Sequence, residues 1–232
     1  MRINLESAAI GEGLGASVPP LTIAVADGEV SVLAVETAER PMLVSLLLGG
    51  RIRPDSGTVT IDGRDDLDEL RTRSALVDTP VVAEPTPGLS LASIVAEEFS
   101  FAKRPASRRA VHTFLKRNGI DDYAAVPVRS LPPAKRTRIF SELALLRPGV
   151  SALIVTSPER HGGEPAEWFD TLAEIAARGV TIVIVTDAAT RGLLLGFGAR
   201  DALEPIPEPE SSVDQLTDTD TDTDTDTEES QS

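Results

Sequence analysis

The sequence predicts an α/β domain with parallel strands, followed by an acidic tail that has no core of its own. Three observations predict it. Residues 152–155, 167–178 and 180–186 read as strand, helix and strand at the spacing of a βαβ unit, whose crossover is right-handed. Residues 1–98 hold short β-branched runs with turns between them and contain no Phe, Tyr or Trp. Residues 201–232 carry 12 acidic residues and no basic one, too little apolar content to offset the entropy of ordering.

The first strands are expected at residues 22–25, 30–35 and 58–61. Asp27-Gly28, Asp55-Ser56-Gly57 and Asp62-Gly63 bound them with the small polar residues that turns need. Residues 41–48 read as a short buried helix. Pro41 suits the first helical position, where an N–H has no partner to lose, and Gly49-Gly50 supplies the stop. Residues 99–150 change character and hold helical patterns at 108–117 and 135–146. From Lys103 to Arg138, ten Lys and Arg stand against two Asp. Gly179 is placed to cap the helix of the βαβ unit.

Composition excludes several function classes. No Cys is present, which removes disulfides, thiolate metal sites and cysteine nucleophiles together. Two histidines, His112 and His161, are too few for a His-based metal cluster. Residues 1–10 hold no apolar signal region, and no apolar run approaches the ~20 residues needed to span a bilayer, so the expected location is cytoplasmic. The net charge of −15 is local: residues 1–200 carry 25 acidic against 22 basic residues. The Thr-Asp repeat over 217–227 reads as a solvated low-complexity segment rather than a calcium site. The tail reads either as a solubiliser or as a cover for the basic stretch 103–138. That stretch lacks the interleaved aromatics and recognition motifs of a nucleic-acid binder.

The order of these pieces over residues 1–198 resembles the ATP-binding cassette family of transporter subunits. The most specific stretch runs from Gly28-Glu29-Val30 through Arg53-Pro54-Asp55-Ser56-Gly57 to Thr58-Val59-Thr60-Ile61-Asp62-Gly63. It flanks the family's phosphate-binding loop at the family's distance. Gly88-Leu89-Ser90-Leu91 with Ile94, then Leu131 with Arg136 and Arg138, the helix ending Leu145-Leu146-Arg147-Pro148, and residues 153–158 resemble later family segments. Residues 181–187 resemble the strand that ends in the family's switch histidine. The resemblance implies a P-loop NTPase-like fold: a mostly parallel central sheet, an antiparallel β edge region and a small helical subdomain at about 90–145. The implied organisation is a cassette domain over 1–200 and a disordered tail over 201–232.

The same alignment removes the chemistry. A phosphate loop needs glycines that let backbone N–H groups converge, a Lys for charge and a hydroxyl for Mg²⁺. Here Val35 and Arg40 stand at glycine positions, Pro41 at the Lys and Met42 at the hydroxyl. Glu36 and Glu39 add acidic charge, and Arg40 is expected to be solvated or paired with a Glu. Side chains of Val35, Met42 and Arg40 are expected to fill the phosphate space. Thr79, or its neighbour Asp78, stands at the family's glutamine. Leu131-Pro132-Pro133-Ala134-Lys135 replaces the signature, Thr156-Ser157-Pro158 replaces Asp-Glu-Pro, and Asp187 replaces the switch histidine. No aromatic precedes Phe99 to stack on adenine. ATP and Mg²⁺, the cofactors the resemblance implies, are therefore expected to be lost, and no catalytic, cofactor-binding or metal-binding residue is expected.

Ser157, His161 and Asp187 could be imagined as a hydrolase triad, but Ser157 is in no Gly-x-Ser-x-Gly elbow. Trp168 is expected to be a packing residue. The function expected from the resemblance is a non-hydrolysing cassette-like subunit. Its implied partners are a membrane-embedded transporter or export subunit and a second cassette, with no nucleic acid. Two alternatives stay open: an ATPase with an atypical nucleotide site, and a free-standing scaffold.

Overall fold

The computed structural model describes residues 1–36 and 39–206. The strands are β1 (Ile3–Ile10), β2 (Val18–Val25), β3 (Val30–Ala34), β4 (Ser56–Ile61), β5 (Ser74–Val77), β6 (Ala152–Thr156), β7 (Thr181–Thr186) and β8 (Arg200–Asp201). The α-helices are α1 (Arg40–Leu48), α2 (Leu67–Arg73), α3 (Leu91–Phe101), α4 (Arg108–Arg117), α5 (Pro133–Ala144), α6 (Pro165–Ala176) and α7 (Ala188–Gly196). They form an antiparallel sheet of order β2-β1-β4 and a parallel sheet of order β5-β6-β7-β3-β8.

The parallel sheet is buried on both faces, so its strands are continuous apolar runs rather than alternating ones. Val30 and Val32, Leu153 and Val155, and Ile182 and Ile184 point into one core, with helices α3–α7. Leu33, Ile154, Val183 and Val185 point into the other, against α1 and the antiparallel sheet. Helix α1 lies in that second core through Val44, Leu47 and Leu48. Its C-cap is Gly49, and Gly50 follows at φ 66, as the sequence implied. Gly57, at φ 74, permits the closest backbone approach in the antiparallel sheet: a Cβ there would sit 2.2 Å from the Ser7 carbonyl oxygen. Trp168 is 1% exposed in the helical core, as expected of a packing residue.

The βαβ unit β6–α6–β7 forms as expected, with its two strands adjacent and parallel. Helix α4 has the bounds read from the sequence. Strands β1, β5 and β8 and helices α2, α3 and α7 are additions that the sequence reading did not contain. Strand β1 hides because a bulge at Ser7, φ 48, breaks its alternation; β5 and β8 are short. Strand β8 also carries the fold past residue 200, the boundary placed by composition. Ala202 is fully buried and exchanges backbone hydrogen bonds with Val32 and Ala24. Of the tail expected to be disordered, 201–232, residues 201–206 are described, with Asp201 in β8 and Ala202 buried, and residues 207–232 lie outside the described residues.

Candidate functional site

Ligands of open α/β sheets gather beyond the carboxyl ends of the parallel strands. Here Val35 and Glu36 follow β3, Asp78 and Thr79 follow β5, Ser157 follows β6 and Asp187 follows β7. Asp78 and Ser157 take left-handed backbone conformations, φ 54 and 48. For non-glycine residues that stores about 1–3 kcal/mol each, which the surrounding contacts must hold.

At the centre is a closed chain of hydroxyls. Ser45, on α1, donates to the Pro41 carbonyl at 2.8 Å and lies 2.7 Å from Thr156 Oγ1. Thr156 lies in turn 2.7 Å from Thr79 Oγ1. All three residues are fully buried. Thr156 and Thr79, at the stations that the resemblance assigns to the magnesium carboxylate and the glutamine, are thus hydrogen-bonded directly to each other, and Thr156 also to α1 through Ser45. Ser45 was missed by the sequence reading; its signal was a small hydroxyl inside an otherwise apolar helix.

Arg40 departs from expectation. Instead of being solvated or paired with a Glu, it donates from Nε to the Ser17 carbonyl at 2.9 Å and from Nη2 to the Ala16 carbonyl at 3.4 Å. Those carbonyls lie at the start of β2, so the guanidinium leans toward the antiparallel sheet. Val35 and Met42 are half-buried, and Val35 N donates to the Thr186 carbonyl. Thr37 and Ala38, the middle of the loop, lie outside the described residues.

The acidic side is more extensive than the sequence suggested. Glu159, in a 3-10 turn over Pro158–His161, accepts a 2.6 Å hydrogen bond from Thr186 Oγ1. Burial pushes its carboxyl up from the usual range, the Thr186 bond opposes that, and the nearby Asp187 charge adds to it. Asp187 caps α7 by accepting from Thr190 N at 2.7 Å.

A second cluster ties β5 to the helices. Asp78 accepts from Arg136 Nε at 2.6 Å and Nη2 at 2.7 Å, a bidentate pair with both side chains under a tenth exposed. Arg136 also donates to the Val128 carbonyl and stacks on Phe140. Arg160 bridges Asp78 and Glu84, and His161 Nε2 lies 2.8 Å from Asp78 Oδ2. Burial would raise the Asp78 carboxyl, but the contacts with His161 and Arg136 outweigh it and hold it at about 2. The His161 contact is poorly aligned for a hydrogen bond, so the bidentate arginine carries the effect. Ligand atoms of Asp78, Glu84 and His161 all lie within 4.8 Å of one another, yet two arginines already neutralise these carboxylates. The described contacts of the cluster are those of an ion-pair network.

Ser157, His161 and Asp187 are not brought together as a triad. His161 faces Asp78, Asp187 caps a helix, and Ser157 is held through its backbone N–H to the Val185 carbonyl. At the signature position, α5 begins at Pro133 after Pro132, without a side-chain cap, and Lys135 turns to the Gly119 carbonyl at 3.0 Å. Among the described residues, no helix is long and apolar enough to cross a membrane.

No family model matches the sequence, and no curated protein is significantly similar to it. Solved structures are. CbiO1 from Clostridium perfringens, part of the ABC transporter complex CbiONQ, is 19% identical, with TM-score 0.58 over 80% of this chain and 78% of that one. A nucleotide-free ATP-binding cassette from an ABC transporter is 15% identical, with TM-score 0.63 over 84% and 85%. The cassette MJ0796 of a bacterial ABC transporter, solved as a dimer, is 18% identical, with TM-score 0.60 over 82% and 90%. At these identities the likeness speaks for architecture alone: the chain has the fold of an ABC transporter ATP-binding cassette.

Proposed function

We propose that this chain is a cassette-fold subunit that neither binds nor hydrolyses nucleoside triphosphate, and that it serves as a structural or regulatory partner of a membrane transporter or export assembly. The observation that carries the reading is the Ser45–Thr156–Thr79 hydroxyl chain. It replaces the carboxylate and glutamine of the resembled site with neutral groups that satisfy one another. Met42 has no hard oxygen for Mg²⁺, Pro41 offers neither charge nor N–H, and Arg40 is engaged by Ser17 and Ala16. Glu36, Glu39, Glu159 and Asp187 give the strand ends a negative charge, which disfavours a polyphosphate. The residues present do not fit Mg-ATP.

What such a subunit keeps is its surfaces. A groove of about 340 Å³ runs between the segment after β5 and helices α3 and α5, floored by Ile94, Phe140 and Leu143. Phe101 at its edge is 64% exposed and Val81 beside it 92% exposed. Val81 also holds φ 66, a strained conformation for a β-branched residue. Glu97 at the rim is in no ion pair among the described residues. This groove fits a partner helix that presents an apolar side chain beside a Lys or Arg, such as a short helix at the inner face of a membrane-embedded subunit. Residues 1–206 would form the cassette unit and 207–232 an appended acidic tail.

Calorimetry and thermal shift with millimolar Mg-ATP test the nucleotide half of this reading. The expected result is no saturable heat and no shift. A saturable rise of several degrees that EDTA abolishes would overturn it and restore an ATPase with an atypical site.

A further inference from the structure

Helix α4 and the loop before it carry an unusual charge arrangement. Lys103, Arg104, Arg108, Arg109, Lys116 and Arg117 are all exposed, and none is in an ion pair among the described residues. Elsewhere Arg64, Arg71, Arg73, Arg136, Arg138, Arg147, Arg160, Arg178 and Arg191 have carboxylate partners, and the cations without one among the described residues are scattered, whereas these six are clustered on one helix and its preceding loop. From Phe99 to Ile120 there is no Asp or Glu at all. Arg108 and Arg109 sit in the first turn of α4, where the helix dipole disfavours cations and no acidic residue offsets them. Arg104, Arg109 and Arg117 surround a shallow depression of about 490 Å³ floored by Phe99 and Phe114. Lys116 and Arg117 suit the negative C-terminal end of α4, but local folding gives Lys103, Arg104, Arg108 and Arg109 no such role; an acidic ligand explains the six together.

We propose that this basic face is a docking surface for the chain's own acidic segment, residues 207–232. Charge is complementary: those residues hold ten Asp and Glu and no Lys or Arg. The described residues end at Ile206, and a segment of 26 residues would span about 30 Å root-mean-square as a random coil, or about 90 Å fully extended. Each exposed Asp–Arg contact is weak and salt-sensitive. Tethering converts the contact into an intramolecular one at an effective concentration on the order of millimolar, so many weak contacts suffice. The regular Thr-Asp alternation over 217–227 lets the segment slide in steps of two without losing charge pairing. The docked segment would shield the face from other polyanions. This inference does not depend on whether the cassette binds nucleotide.

The chain has no Cys, so Ser230→Cys gives a single site for a nitroxide label in the full chain. The expected result is paramagnetic broadening of α4 amides at about 20 mM salt, and its loss at about 500 mM, where the Debye length is ~4 Å. A R108S/R109S/R117S variant should lose the broadening while keeping its circular dichroism. Binding to phosphatidylglycerol vesicles at low salt should be stronger for the chain truncated after Ile206 than for the full chain. Absence of α4 broadening at low salt overturns the proposal. So does equal vesicle binding by full and truncated chains, which would assign the face to an anionic membrane surface uncontested by the tail.

Discussion

Replacing Asp78 by Ala should destabilise the protein by about 3–5 kcal/mol, the range for removing one partner of a buried ion pair. The magnitude follows from what remains. Arg136, with a side chain 5% exposed, would keep only its bond to the Val128 carbonyl and its contact with Phe140, leaving an uncompensated charge in the core. In a chain of this size that lowers Tm by about 10 °C. The pair is costly to break rather than costly to lack. The double variant D78L/R136M removes both charges and should recover most of the loss. Protonation gives an independent handle. The Asp78 carboxyl is lowered from 3.8 to about 2 in the folded chain, so the unfolded state binds its proton more readily. Stability from this group is present above pH 3.8 and is lost as pH falls through about 2; the interval corresponds to about 2 kcal/mol. Urea unfolding of the wild type and of Asp78→Asn, at pH 5 and at pH 2, measures it. The difference between the two chains should shrink by that amount at the lower pH. A single variant costing under about 1 kcal/mol, or a double variant as unstable as the single, refutes the assignment of a buried charged clamp.

Other perturbations reach the remaining features. Thr156→Val leaves Thr79 Oγ1 without the bond it shares with Thr156, and should cost about 1–3 kcal/mol by denaturant titration without creating any response to Mg-ATP. Glu159 has a raised folded-state value because it is buried, so its contribution is fully present below pH 4.5 and is lost as pH rises through its folded value. Glu159→Gln should therefore raise the urea midpoint at pH 7 relative to wild type, with the two chains converging in acid. Gly57→Ala places a Cβ against the Ser7 carbonyl at φ 74 and should cost at least about 3 kcal/mol, read as a loss of Tm. Phe101→Asp, on an exposed position, should leave Tm unchanged within about 2 °C and abolish capture of a membrane-embedded partner at the groove.

The sequence was most legible where local signals and tertiary context agree. The βαβ unit, α4 and the glycine stop after α1 announced themselves through β-branched runs, the helical pattern over 108–117 and the pair Gly49-Gly50. Strand β1 was illegible because its bulge at Ser7 breaks the period that would reveal it. Strand β8 spans two residues and exists only through its parallel pairing with β3. At the strand ends, the family resemblance put Pro41, Met42, Thr156 and Ser157 at the family's nucleotide-handling positions. The consequences of these substitutions could not be read that way. That Ser45 closes a hydroxyl chain to Thr156, that Arg40 turns to Ser17, and that Glu159 joins Thr186 depend on how three strands and a helix meet. The Asp78–Arg136 pair, 58 residues apart in sequence, has no local signature at all.

The burial of Trp168 has a practical consequence. It is the chain's single indole, and it reports from the core shared by the parallel sheet and helices α3–α7. The opposite core, where α1 packs between the two sheets, contains no aromatic residue. Tryptophan emission therefore watches one half of the molecule and is blind to the other, while far-ultraviolet circular dichroism sees both. Superimposable denaturation curves from the two signals would show that both halves melt as one cooperative unit. A red shift in emission that precedes or trails the dichroism change would separate them, and would say directly which side of the sheet opens first.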